Sequence, residues 1–234
     1  CKELLMSCKN DPPFAPFYVV RAQVMQDDTT QALADLIKAA QTDAAEWRYQ
    51  KLLAEYYMGH DQPQKALAIA TAFHKQHPDN LIMGMLYAKT LLLNKQYAET
   101  DKLLTHLQII PFEGATEGKM LYREAKLMQA VAALQQKKFS VAKKFIEQGK
   151  LWPENLGVGK PYDDNIDTRL EDWMLYLTEK NKTGNNAKAL LDKIISFKPA
   201  TENTISNFLP SNALITALAI SKANGKDQAM QWLE

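Results

Sequence analysis

The run GVGKP at 157–161 holds the ingredients of an anion cradle, with two glycines whose backbone N–H groups can turn toward a ligand and Lys160 to neutralise it. It is not a Walker loop. That motif needs G-x-x-x-x-G-K followed by Ser or Thr, with a strand before and a helix directly after, and here Pro161 takes the hydroxyl position. The competing role of the glycines is simply to let a long loop turn. The same segment carries Trp152 and Tyr162, with Trp173 just beyond it. Such rings can stack on a flat ligand such as a sugar, or fill a core. Arg123, Trp152, Lys160, Tyr162 and Asp163 form the candidate loop site.

Other chemistry is tested by spacing. Asp163, Asn165 and Asp167 alternate as the opening of an EF-hand loop does, but Thr168 stands at the required glycine and Met174 at the bidentate glutamate. His74 and His77 sit one turn apart without a nearby third ligand, so a helix-end role, interacting with the dipole, explains them better than a metal. The acid pairs Asp163–Asp164 and Glu171–Asp172 lack any further catalytic signature. No nucleophile–base motif is present. The expectation is therefore a non-enzymatic chain without metal or cofactor.

The elements that position these residues follow a period. The segment 46–80, EWRYQKLLAEYYMGHDQPQKALAIATAFHKQHPDN, reads as helix, polar break at 59–64, helix, and a terminating Pro78. With Trp47 as position 1, Leu53, Ala54, Tyr57, Ala66, Ala70, Phe73 and Pro78 fill the slots of a tetratricopeptide (TPR) repeat of ~34 residues. Gln50 departs from it, standing where an aromatic is usual. Further units start at Pro13, Leu81, Arg123, Thr168 and Pro210, so successive starts lie 34, 34, 42, 45 and 42 residues apart. Alanines let helix backbones approach while Tyr, Phe and Leu fill the space beside them, and no pair buries its apolar face alone. The sequence predicts an all-α, right-handed TPR-like α-solenoid, one domain over 1–234 with units near 13–46, 47–80, 81–122, 123–167, 168–209 and 210–234. Thr168 with Glu171, and Asp43 with Glu46, have capping-box spacing; Asn203, Thr204 or Pro210 would open the last pair.

First helices of such repeats line a groove. In this frame Arg48, Lys51, Glu55, Met85 and Lys89 point into it, and the three cations suit a peptide with an acidic end. A solvated charged face is the plainer role for each. The predicted partner is a protein or peptide. A net charge of +1, with only four arginines and dispersed lysines, disfavours nucleic acid. No apolar run approaches the ~18 residues of a membrane span, and no signal peptide is recognisable. The compartment is left open between cytoplasm and periplasm. Cys1 and Cys8 are expected on one helix, ~10.5 Å apart and too far for a disulfide within it. Cys1 as first residue also fits a processed lipoprotein.

The period breaks at two enlarged junctions, Pro111–Lys119 and Trp152–Asp167, which should emerge on one edge as neighbours. The stretches DPPFAPFYVVRA, PFEGATEGKMLYREAKLMQA and WPENLGVGKPYDDNIDTRLEDW resemble the C-terminal region of large bacterial TPR proteins. Those proteins carry an uncharacterised β-rich N-terminal domain similar to carbohydrate-active enzymes. The resemblance, from about Asp11 to Trp173, implies an accessory helical domain of a carbohydrate-processing enzyme as the alternative function, with an upstream domain of the same chain as partner. It brings no catalytic residues to this region. Both ends read as cut from a longer polypeptide, since neither shows a polar capping element.

Overall fold

A computed structural model describes residues 2–8, 12–198 and 210–234, and those residues form thirteen α-helices and no strand. Cys1, Asp11, Pro199, Asn203 and Thr204 lie outside them. Helices adjacent in sequence pack on one another as hairpins. In order they are α1 (Lys2–Met6), α2 (Ala15–Val24), α3 (Thr29–Thr42), α4 (Trp47–Gly59), α5 (Pro63–Gln76), α6 (Leu81–Leu93), α7 (Tyr97–His106), α8 (Glu117–Gln135), α9 (Phe139–Gly149), α10 (Arg169–Glu179), α11 (Asn186–Ser196), α12 (Pro210–Ala223) and α13 (Lys226–Leu233). Short 3₁₀ turns at Glu154–Leu156 and Asp163–Asn165 sit inside the second junction. The chain divides into two compact units, Cys1–Gln108 and Ile109–Glu234.

One turn recurs inside the hairpins. Asp61, Lys95 and Lys137 have φ of 55°, 61° and 57°, the left-handed region. In each case the following N–H reaches back five residues: Gln62 to Tyr57, Gln96 to Leu91 and Lys138 to Ala133, all at 2.9 Å. This is the Schellman closure that satisfies the last carbonyls of a helix. Its recurrence at α4/α5, α6/α7 and α8/α9 is the structural form of the repeat.

In the first unit the hairpins close on small residues. Ala54, Ala66 and Ala70 are fully buried, and Leu53, Tyr57, Phe73, Met83 and Leu86 fill the space around them. Caps set the helix starts: Asp28 accepts from the Gln31 N–H and Asn80 from the Met83 N–H, each at 3.0 Å. Gln50 repays its departure from the repeat pattern. Its amide donates to the carbonyls of Ala40 at 3.0 Å and Ala44 at 3.3 Å, so it satisfies the end of α3 where an aromatic would only fill space.

Several local expectations are corrected. Asp43 does not cap α4; it follows the end of α3, and Glu46 takes the capping place, accepting from the Arg48 N–H at 3.0 Å. Thr168 and Glu171 form no capping box. The Thr168 hydroxyl donates to Asp172 at 2.8 Å, and Glu171 is drawn to Arg123, because a guanidinium offers a carboxylate two charge-assisted hydrogen bonds where the helix end offers one N–H. Cys8 lies beyond α1, exposed.

Candidate functional site

The two enlarged junctions meet. The Ile109 N–H donates to the Asn155 carbonyl at 2.8 Å. Gly157, at φ 66°, closes the 3₁₀ turn, and a Cβ there would lie 2.8 Å from the Ile109 carbonyl oxygen. Gly118, in the first turn of α8, is pressed against Leu156 in the same way, with the Leu156 carbonyl 2.8 Å from a would-be Cβ. Backbone contact at both places requires glycine. Gly118 and Gly157 therefore serve packing first, whereas Gly114 and Gly159 face open space.

Behind the junctions lies a network of buried charge. Arg123 on α8 forks onto Glu171 on α10, with Nε–Oε1 at 2.5 Å and Nη2–Oε2 at 2.8 Å. Burial opposes the Arg123 charge, but the Glu171 hydrogen bonds outweigh it and raise its pKa. Asp172 accepts from Lys150 at 3.0 Å and from Thr168, and pairs with Lys193 at 2.7 Å. Burial would raise the Asp172 carboxyl, yet those two lysines hold it below the usual range. Asp167 accepts a fork from Arg169 and a hydrogen bond from Asn212 at 2.7 Å, while Arg169 Nη1 donates to Thr216 at 2.8 Å. The start of α10 is thereby tied to α12. Asp167 too is held low by these donors against its burial.

Lys119 closes the network from below. Its Nζ donates to the carbonyls of Gly149 at 2.6 Å and Leu151 at 2.7 Å, satisfying the end of α9. It also lies 5.1 Å from the Trp152 ring centroid. Burial pushes its pKa down to about 8, with Glu171 pulling upward and Arg123 downward.

The loop-site residues divide. Trp152 and Lys160 line one cleft of about 350 Å³ together with Lys150, Leu151, Glu154, Val158 and Gly159. Arg123 belongs to the buried network and is not part of its wall. Tyr162 is 86% exposed, and Asp163 reaches back only to Lys160 at 2.7 Å. Trp173 packs on Tyr176 beside Leu191 and Ile194. Asp167 of the EF-hand-like triplet is committed to Arg169 and Asn212; among the described residues no three His, Cys, Asp or Glu side chains gather in a way that could hold a metal ion. His74 stands in the last turn of α5, where burial lowers its pKa and its buried Nδ1 has no hydrogen-bond partner among the described residues.

The groove residues share α4 and α6. Arg48 is exposed, pairs with Glu46 at 2.9 Å and lies over Trp47. Lys51 pairs with Glu55 at 2.6 Å along α4. Met85 and Lys89 are half-buried on the adjacent α6. Sequence reasoning missed Lys119 and the fates of Glu171 and Asp172. Lys119, Arg123 and Lys126 at i, i+4 and i+7 put three cations on one face of α8, and that was the available sign that acids must meet it.

No protein-family model matches the chain, and no curated protein does. Among solved structures it is similar to the TPR-containing protein pilF of Pseudomonas aeruginosa, at 16% identity over 93% of this chain and 88% of that one, with a TM-score of 0.48.

Proposed function

We propose that this chain is an interaction module of the TPR type, without catalysis of its own, whose α4–α6 face receives a peptide or protein partner. The observation that carries this reading is the row of Arg48, Lys51 and Glu55 along α4, beside Met85 and Lys89 on α6. The row lies on the helices that open successive hairpins and leaves the alanine-lined side for packing. Arg48 and Lys51 are held by neighbours on the same helix end or face, pairs worth ~0.2–1 kcal/mol in water. An acidic partner can exchange with them at little cost. Titration of a tetra-aspartate peptide with a free C-terminus should show saturable binding. Reversing Arg48, Lys51 and Lys89 to Glu together should weaken it more than about tenfold, since two or three charge-assisted contacts are lost. Equal affinity in that variant would remove the reading.

A second reading is favoured by Ile110, Phe112, Leu151 and Tyr162, all exposed apolar side chains on or beside the two junctions. Here the partner is another domain of the same polypeptide, in keeping with an accessory role in a carbohydrate-processing enzyme. Cross-linking of the full-length polypeptide through Lys160 distinguishes the two: links confined to this region count against a docked domain.

A further inference from the structure

The cleft at the end of α9 has more hydrogen-bond donors than the protein uses. The indole Nε1 of Trp152 is buried with no hydrogen-bond partner. An orphaned buried donor of this kind is uncommon and calls for an acceptor. The backbone N–H groups of Val158, Gly159 and Lys160 also donate to no acceptor among the described residues. Successive free N–H groups make an anion-binding concavity where the backbone turns them to one side. Nothing stands within 4 Å of where a Gly159 Cβ would be, so a ligand can approach that backbone directly. The volume of about 350 Å³ lies within the ~300–1,000 Å³ of small-ligand sites.

The charges select the ligand. Lys150 is committed to Asp172 at 3.0 Å, with Glu147 a further 3.7 Å neighbour. Among the described side chains Lys160 pairs with Asp163, and both are mostly in water, with side chains 55% and 82% exposed. Such a pair is readily exchanged. One exchangeable ammonium, with Glu154 in the same wall, suits a single negative charge and disfavours a dianion. Leu151 and Val158 supply apolar wall beside it. From this cleft, its unused donors and its one exchangeable cation, we infer a binding site for a monocarboxylate. In this site Lys160 leaves Asp163 for the carboxylate, which also accepts from the Trp152 indole and the 158–160 backbone. The carboxylate is that of a small organic acid or of a peptide C-terminus.

The test follows the Trp152 indole N–H resonance, identified by its loss in Trp152→Phe, during titration of the whole chain. Sodium acetate should move it downfield saturably, and inorganic phosphate should not. Lys160→Gln, at an exposed position, should leave the fold unchanged and weaken acetate about tenfold, the scale of one charge-assisted hydrogen bond. Ala-Ala-Leu with a free C-terminus should bind, and its amide should not. A peptide clearly tighter than acetate identifies a chain terminus as the source, and equal affinity identifies a small acid. No saturable shift at high millimolar acetate overturns the site. So does phosphate binding more tightly than acetate, an amide binding as well as the free peptide, or unchanged affinity in Lys160→Gln.

Discussion

The α4–α6 stack of the first unit and the α8–α10 stack of the second are built on the same hairpin and closed by different physics. Both use the Schellman turn, with Lys95 and Lys137 at nearly the same φ. Yet among the described residues of the first unit the one buried charged side chain is Asp35, paired with Arg21 at 2.6 Å. The second unit buries Lys119, Lys126, Arg169, Glu171, Asp172 and Glu179. Where the repeat keeps its period, alanines bring the helices together and apolar contact suffices. Where a junction is enlarged, a long loop has to be fixed in one place, and non-directional contact does not specify one place. Forked and multiply bonded charges do so, at the cost of depending on every member.

The largest test of that contrast is Glu171→Ala. It strips the half-buried Arg123 of its forked partner and should destabilise the chain by about 3 kcal/mol in urea unfolding, the low end for breaking a buried pair. Replacing both Arg123 and Glu171 by Met should cost much less than the single change, because no stranded charge remains. If the double variant proves as damaging as the single, the pair contributes attraction beyond mutual neutralisation, and the contrast with an apolar stack weakens.

The first unit should break by volume instead. Ala66→Leu, at a fully buried helix contact, should cost about 1–3 kcal/mol through overpacking. The same kind of change at an exposed position of α5, Ala72→Leu, should have little effect. Neutrality of Ala66→Leu would show that α4 and α5 are not held by close backbone approach.

The regular repeat was legible because its signal is local and periodic: Trp47 through Pro78 name their own slots. The meeting of the two junctions was legible from topology, since both follow second helices. The charge network was not, because its partners lie far apart in sequence. Arg123 and Glu171 are 48 residues apart, Arg169 and Thr216 are 47 apart, and no period links them. Thr168 and Glu171 even gave a false local sign, a capping box that tertiary pairing overrode. The cleft was half visible. GVGKP announced free backbone donors, but only the fold brings Trp152 and Lys150 beside them.

Lys119 offers the finest cut between the two regions, because among the described residues of the first unit no lysine is buried. The folded chain holds its pKa at about 8, against 10.5 for a free lysine. Below pH 8 the folded and unfolded chains both carry the proton, so the full cost of burying the charge is present and stability does not change with pH through this group. Between about 8 and 10.5 the unfolded chain binds the proton more than the folded chain does, and stability must rise with pH. The slope can reach at most about 1.4 kcal/mol per pH unit. The neutral amine keeps N–H groups for the Gly149 and Leu151 carbonyls, so deprotonation need not open the end of α9. Lys119→Met removes the titration and leaves both carbonyls without their donor, which should cost about 1–3 kcal/mol near neutrality. Other lysines and tyrosines titrate in the same range, so the quantity to follow is the wild-type minus Lys119→Met difference in urea midpoint, which should grow from pH 8 to 10.5. A difference that shrinks would mean that Glu171 favours the ammonium more than burial disfavours it, and that the second unit, like a surface ion pair, is held by the charge it carries.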